Sequence, residues 1–253
     1  MSLKLKRLKM DSNEIVSSMQ KCYAQSYSSL ISTTIRLSIK NFLLIPSNQL
    51  AILFTLICSS FVLNFLTKYN LIYSSLVSFT CLPILLIAFI SYRSYFDWKK
   101  FIKRNIDNTD ISHKWASKIY SKNENAMFAL TTFNKNNRLE CVAMSAILIG
   151  EEKNFYRDDH LLSELSENQA LLTRVGVLPM CHGRGMGKTV VQACIEFAKL
   201  NDVKTIKLTT SSPHSAAICL YKSLGFEITK VKDLIPILGF KKMAMELNLE
   251  SMI

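Results

Sequence analysis

The sequence predicts a mixed α/β fold, a mixed sheet with helices on both faces, interrupted by an inserted helical hairpin suited to a membrane. Three observations carry this. Short apolar runs bounded by turn residues recur at both ends of the chain. Between residues 170 and 198 an apolar run, a glycine-rich turn and an apolar stripe of helical period follow one another directly. Residues 41–67 and 69–92 contain no charged side chain. The expected organisation is therefore an N-terminal strand and helix at 1–40, the hairpin at 41–92, and the remainder of the same domain at 93–253.

In chain order, residues 2–10 read as a short strand with basic outer positions. Asp11-Ser-Asn-Glu14 reads as a capping box, and Ile15, Met19, Cys22 and Tyr23 then follow helical spacing. The densest apolar stretches come next, at 50–66 and 71–90. About 20 apolar residues cross a bilayer's hydrocarbon core. Two core helices in a water-soluble domain are the alternative, but a domain of this size has little room to surround two helices apolar on every side. Only Thr67-Lys-Tyr-Asn70 separates the runs, which makes a hairpin. Arg36 and Lys40 precede it; Arg93, Lys99, Lys100, Lys103 and Arg104 follow it, and Lys68 sits at its tip. Basic residues beside spans stay on the cytosolic side, so both termini are expected there. Pro83 is expected to kink the second span, and a re-entrant hairpin fits the same residues.

Beyond the hairpin, residues 110–119 read as a helix, 126–133 and 139–150 as strands joined by a turn at 134–137. Residues 151–168 form a polar loop, either bordering a substrate site or merely a solvated connection. Then come a strand at 170–177, a helix at 188–200 and a strand at 205–210. A helix with Ser212 as N-cap, Pro213 at its first position and Gly225 as its stop follows. Strands at 226–231 and 241–249 close the sheet, with Met243, Met245, Leu247 and Leu249 inward.

The net charge of +12 raises nucleic acid as a partner, but the basic residues are spread thinly and lack interleaved aromatics. They are better assigned to a membrane flank and an anionic cofactor. The 7 cysteines show no metal or disulfide spacing and the 4 histidines are scattered, so reduced thiols and no metal are expected. The first 29 residues are basic and polar, so no cleavable signal peptide is expected.

The chemistry concentrates at Val177-Leu-Pro-Met-Cys-His-Gly-Arg-Gly-Met-Gly187 and Lys188. A strand, a glycine-rich turn and a helix start let several N–H groups converge on one anion, aided by the helix dipole. The spacing fits neither a P-loop nor a dinucleotide fingerprint. A second motif follows at Ser212-Pro-His-Ser-Ala-Ala-Ile-Cys-Leu-Tyr-Lys-Ser-Leu-Gly-Phe226.

Together the two motifs resemble those of the Gcn5-related N-acetyltransferase (GNAT) superfamily. Val177 and Pro179 match its strand end, His182 its Gln/Arg position, Gly185 and Gly187 its glycines, and Tyr221, Gly225 and Phe226 its second motif. His182 in place of Gln/Arg and His214 in place of Asn depart from it. The resemblance implies the GNAT acyl-CoA N-acyltransferase fold and acetyl-CoA as co-substrate. Its pyrophosphate would lie on His182, Gly183, Arg184, Gly185, Met186, Gly187 and Lys188, with His214 nearby. Backbone groups of Val175 and Val177 would meet the pantetheine arm, one N–H polarising the thioester. Arg184 and Lys188 are either charge partners or solvated loop charges. Tyr221 is the implied acid for the leaving thiolate, against a plain buried aromatic. No carboxylate lies on the strand entering the loop, and Glu164 and Glu167 are upstream of it. A water relay, or capture of a neutral amine, therefore replaces a named base. Arg174 either pairs with an acceptor's carboxylate or forms a structural ion pair.

The hairpin, Lys99-Lys100, Asp110-Ile111 and the Leu-Tyr-x-x-x-Gly-Phe ending further resemble the camello-like N-acetyltransferases, which include cysteine-S-conjugate N-acetyltransferase. That implies a membrane-bound enzyme at the endoplasmic reticulum with a cytosolic catalytic domain. Its partners would be acetyl-CoA, the lipid bilayer and a primary amine of a small amino-acid-like or cysteine-conjugate acceptor. Protein-lysine acetylation and a degenerate acyl-CoA-binding adaptor are the alternatives.

Overall fold

The computed structural model describes residues 3–8, 13–67, 71–107, 110–112, 114–133, 136, 138–149, 161–162, 165–235 and 239–250. The predicted capping residues Asp11 and Ser12, the hairpin tip with Lys68, most of the 134–137 turn, and most of the 151–168 loop, including Glu164, lie outside them.

Seven strands form one sheet: β1 (Lys4–Arg7), β2 (Asn125–Phe133), β3 (Leu139–Leu148), β4 (Gln169–Val177), β5 (Thr205–Ser211), β6 (Glu227–Ile235) and β7 (Phe240–Asn248). Their order is β1-β2-β3-β4-β5-β7-β6. β1 to β4 pair antiparallel in sequence, β4 and β5 pair parallel, and β5 pairs antiparallel with β7. The sheet is mixed, as predicted.

Alternation along β2 explains the layers. Met127 and Ala129 join Val16, Met19, Cys22 and Tyr23 of α1 (Asn13–Ser28) in one apolar cluster. Ala126, with Phe128 against it, joins a second cluster built on Val191, Cys194, Ile195 and Ala198 of α6 (Met186–Leu200). That face of α6 is the stripe its sequence predicts.

Two compact units emerge. One holds Met1–Leu30, Lys100–Lys232 and Lys242–Ile253, the sheet and its covering helices; the other holds Ile31–Lys99 and Asp233–Lys241. The second unit also takes in the end of β6 and the start of β7. It contains α2 (Leu30–Leu44), α3 (Pro46–Thr67) and most of α4 (Leu71–Asp107). The chain breaks between α2 and α3 because Pro46 has no N–H to continue a ladder and suits a first helical position. The loosened end of α2 is satisfied locally: Asn48 Nδ2 donates to Phe42 O at 3.1 Å and Gln49 Nε2 to Leu43 O at 2.9 Å.

Among the described residues, two helices are long and apolar enough to cross a membrane, at Pro46–Leu63 and Val77–Asp107, and only 17% and 6% of these stretches is buried. Their hydroxyls bond back to their own helices, Thr55 to Ala51 O at 2.7 Å, Ser60 to Leu56 O at 2.8 Å and Ser91 to Ile87 O at 2.8 Å. α4 runs on through Pro83.

Three local expectations are corrected. The helix predicted at 110–119 shrinks to α5 (Ala116–Tyr120), because Asp110 and Ile111 are drawn fully into the interior in a turn. Helix α7 spans Ser215–Ser223 with His214, not Ser212, at its N-cap. A turn closed by His214 N–H to Ser211 O at 2.9 Å keeps Ser212 and Pro213 outside the helix. The strand predicted at 226–231 continues to Ile235. Gly225 does end α7, at φ +90°.

Candidate active site

The site begins where two parallel strands separate. β4 and β5 pair only from Gln169↔Thr205 to Leu171↔Lys207. Beyond that, β4 stays on β3 and β5 stays on β7, so the strands part before either ends. β4 is also irregular here. Its register on β3 passes from Thr173↔Ala146 to Gly176↔Met144, a bulge holding Arg174 and Val175, and Arg174 takes φ +56°.

After β4 the backbone forms the loop. Leu178 N–H donates to Val142 O at 2.8 Å, and a 3₁₀ turn follows at Pro179–Cys181. Gly183 and Gly185 both take φ +74°, a region disfavoured for other residues, and a Cβ built on either would meet nothing within 4 Å. Gly185 is the N-cap of α6, so the amides of Met186, Gly187 and Lys188 open the helix without a preceding turn to accept them. Gly187 serves packing instead: an added Cβ would lie 3.2 Å from Leu220 of α7 and 3.4 Å from Val177 of β4. The helix start is thereby held between the end of β4 and α7, with its amides available to an anion.

The predicted residues divide sharply. Gly183, Arg184, Gly185 and Lys188 are together on this turn, the two cations exposed. The Met186 side chain is buried in the core, so what it offers a ligand is its backbone. His182 folds back, its Nε2 3.0 Å from Val177 O. Val177 N–H donates to Ser26 Oγ on α1 at 3.2 Å. Both backbone groups of Val177 are thus engaged internally, which corrects the expectation of an open N–H there. Val175 lies in the bulge, half-buried, beside the second core cluster.

Of the two expectations for Arg174, the structure shows the structural ion pair. Its guanidinium is buried with Asp110: Nη2 lies 2.7 Å from Oδ1, and Nε donates to the same oxygen at 2.8 Å. Nη1 donates to Tyr23 Oη at 3.2 Å and Asn105 Oδ1 at 3.0 Å, and Tyr120 donates its hydroxyl to Asp110 Oδ2. A buried carboxylate needs a cation and hydrogen bonds, and Arg174 supplies both. Its donors serve this network rather than an acceptor's carboxylate.

Tyr221 lies on α7 in the second core cluster, its ring 5.8 Å from that of Phe226. Burial, then the neighbouring Tyr27 and Cys194, hold its phenol well above the usual tyrosine range. It therefore stays protonated at neutral pH. Among the described residues its hydroxyl has no hydrogen-bond partner. His214 is neutral too, its pKa lowered to about 4 by burial, with Nδ1 3.0 Å from Ser211 Oγ.

Sequence reasoning missed the aromatic wall on α1. Tyr27 stacks on Tyr23 with ring centres 4.3 Å apart and meets His214 edge-on at 5.5 Å. Burial raises the Tyr27 pKa, while Arg174 and a hydrogen bond with Tyr23 oppose it. The available signal was the i,i+4 spacing of two tyrosines on a predicted helix. Asp110 had no comparable signal, because its partner lies 64 residues away. Among the described residues, no three His, Cys, Asp or Glu side chains are grouped to hold a metal ion.

The turn thus presents backbone amides beside a strand split, and α7 carries a neutral, buried phenol. Residues 92–226 match the acetyltransferase (GNAT) family, and the chain belongs to it. It is similar to mycothiol acetyltransferase of Renibacterium salmoninarum, 36% identical over 52 residues, 21% of this chain and 15% of that protein. It is also similar to [ribosomal protein bS18]-alanine N-acetyltransferase of Escherichia coli K12, 21% identical over 118 residues, 47% of this chain and 68% of that protein. The chain thus spans a small part of the first relative and about two thirds of the second. Among solved structures it resembles the PaiA N-acetyltransferase from Thermoplasma acidophilum in complex with coenzyme A (TM-score 0.48, 12% identity, 98% of this chain and 99% of that one). It also resembles the ribosomal-protein-S18-alanine N-acetyltransferase from Escherichia coli (TM-score 0.38, 20% identity, 53% and 77%).

Proposed function

We propose that this protein is a membrane-bound, camello-like N-acetyltransferase that uses acetyl-CoA to acetylate the primary amine of a small amino-acid-like or cysteine-conjugate acceptor. The observation carrying the reading is the Gly183–Gly185 turn opening α6, within a family of acetyltransferases. Acetyl-CoA fits this turn: its pyrophosphate needs converging N–H groups, and left-handed glycines with no side chain in the way leave them accessible. The bound thioester supplies the activated acetyl group.

The chain's own residues then have limited tasks. The amides of residues 185–188 bind the pyrophosphate, with Arg184 and Lys188 adding charge. Tyr221 holds a proton that it donates to the departing sulfur as the new C–N bond forms and the C–S bond breaks, and its oxygen regains a proton from the water that takes up the amine's. The amine gives up its own proton to water, since β4 carries no carboxylate and Arg174 is occupied by Asp110. His214, neutral and tied to Ser211, shapes the wall without donating charge.

The membrane reading is supported by the apolar, largely exposed α3 and α4 and by the cations outside both spans. Cytosolic termini and an endoplasmic reticulum location are part of the same proposal. A second reading, an acyl-CoA-binding adaptor without turnover, is favoured by one observation, the engagement of both Val177 backbone groups. Thermal shift with CoA, followed by thiol release over a panel of amines, separates the two. Stabilisation with release from amino-acid amines is expected, whereas stabilisation without release from any amine, lysine peptides included, supports the adaptor. In sealed microsomes, external protease should digest tags at both termini; protection of either overturns the topology.

A further inference from the structure

The described residues on either side of the β6–β7 connection, 233–235 and 239–241, group with the apolar unit, although β6 and β7 belong to the sheet. Residues Asp233–Lys241 group with Ile31–Lys99. Gly239, at φ +63°, lies against Asn41 of α2 so closely that a Cβ there would stand 3.3 Å from the Asn41 amide nitrogen. Around this contact the surface is aliphatic and open: Leu43 is 44% exposed, Leu44 59%, Leu234 53% and Ile235 39%. Lys40 and Lys241 flank it, both exposed, with Arg36 one turn before Lys40. Across this unit the acids are Asp97, already paired with Arg93 at 3.0 Å, and Asp233.

Water is a poor neighbour for such a surface, since four large aliphatic side chains stay hydrated. A hydrocarbon core is equally poor, since it would strand the lysines. The boundary layer of a bilayer suits both, aliphatic groups entering the acyl boundary while cations meet phosphate. From this geometry we infer that the β6–β7 tip and the end of α2 form a second membrane contact, a headgroup-level patch that selects anionic phospholipid. The inference rests on the membrane reading above and adds a contact that does not span. It would bring the ends of β6 and β7 to the lipid surface.

The test uses full-length protein in lipid nanodiscs. Cys58→Ser, Cys81→Ser and Cys219→Ser remove the exposed thiols, the remaining four being buried. A bimane label is then placed by Phe65→Cys on α3 or by Leu234→Cys at the tip, with spin-labelled phosphatidylcholine as quencher. Both labels should be quenched in discs containing phosphatidylserine, and quenching at 234 alone should fall in discs of phosphatidylcholine only. Lys40→Gln should weaken that anionic-lipid dependence by about fivefold, the scale of one basic residue at such a surface. Quenching at 65 without quenching at 234 overturns the inference and leaves the membrane reading standing. Quenching at 234 that ignores phosphatidylserine and Lys40→Gln also overturns it. No quenching at 65 overturns the membrane reading itself.

Discussion

The two units use the same apolar residue types in opposite ways. In the sheet unit, Met127, Met144, Ile147, Ile206 and Met245 are wholly enclosed. In the helical unit, Leu50, Phe54, Phe61, Phe65, Ile84 and Phe89 are each at least 60% exposed. Polar groups differ in parallel. Asp110 and Arg174 find partners across the fold, on α1, α4 and α5, whereas Thr55, Ser60 and Ser91 return to carbonyls of their own helices. A unit that buries its apolar surface and cross-links its polar groups is built against water. One that displays its apolar surface and returns the hydroxyls of Thr55, Ser60 and Ser91 to its own helices suits, on the membrane reading proposed above, a solvent that offers no hydrogen bonds.

The largest effect that can break this contrast is expected at Asp110. Asp110→Ala strands the buried Arg174 guanidinium, which costs about 3–5 kcal/mol, comparable with the whole stability of many domains. Chemical denaturation of the full-length protein in detergent should show it, and Arg174→Met added to Asp110→Ala should recover much of the loss. If Arg174 instead serves an acceptor, Asp110→Ala will leave stability intact and raise KM for amines.

Tyr221→Phe comes next. The ring stays in its cluster with Phe226, so melting temperature and CoA affinity should hold. Turnover should fall about 10²-fold, the usual scale for a positioned acid, with a smaller loss at high pH, where the thiolate departs readily. Full turnover in the Phe variant with instability in Tyr221→Ala would make Tyr221 a core residue like its neighbours.

The contrast also explains what could be read from sequence. Strands, the α6 stripe and two long apolar helices were legible because periodicity and run length are local properties of the chain. Gly183, Gly185 and the Gly225 stop were legible because their positive φ values suit few other residues. The Asp110–Arg174 pair and the Ser26–Val177 bond were not, since each joins segments that only the folded sheet brings together. Residues 110–115 looked helical because Ile111, Trp115 and Ile119 share a helical spacing. Burial of Asp110 outweighed that local preference. α2 was hidden for a different reason: its residues 41–44 merge without interruption into the apolar run, and only Pro46 marks the break.

At the cofactor turn, Gly185→Asp should weaken CoA binding tenfold or more, about 1.4 kcal/mol. The substitution puts a side chain at φ +74° and a negative charge beside the helix start. Isothermal titration with CoA measures it, and retained membrane pelleting shows that the helical unit is untouched. Unchanged affinity would remove this turn from the cofactor site. The result sharpens the comparison, because function would be damaged in one unit with no response in the other.

The smallest expected effect is the one that tests the helical unit most directly. Phe65 is 84% exposed on α3, while Ile206 is wholly buried on β5. In detergent, Ile206→Ala should cost about 2–5 kcal/mol through lost burial and a residual cavity. Phe65→Ala removes a larger side chain, yet on the membrane reading its surroundings are lipid-like in both folded and detergent-bound unfolded states, so the change should stay within about 0.5 kcal/mol. If α3 were instead the core helix of a water-soluble protein, Phe65→Ala would cost about 3–5 kcal/mol, as buried phenylalanines do. The two variants, melted side by side with and without detergent, therefore decide which solvent α3 was built for. A loss at Phe65 equal to that at Ile206 would erase the distinction between the units.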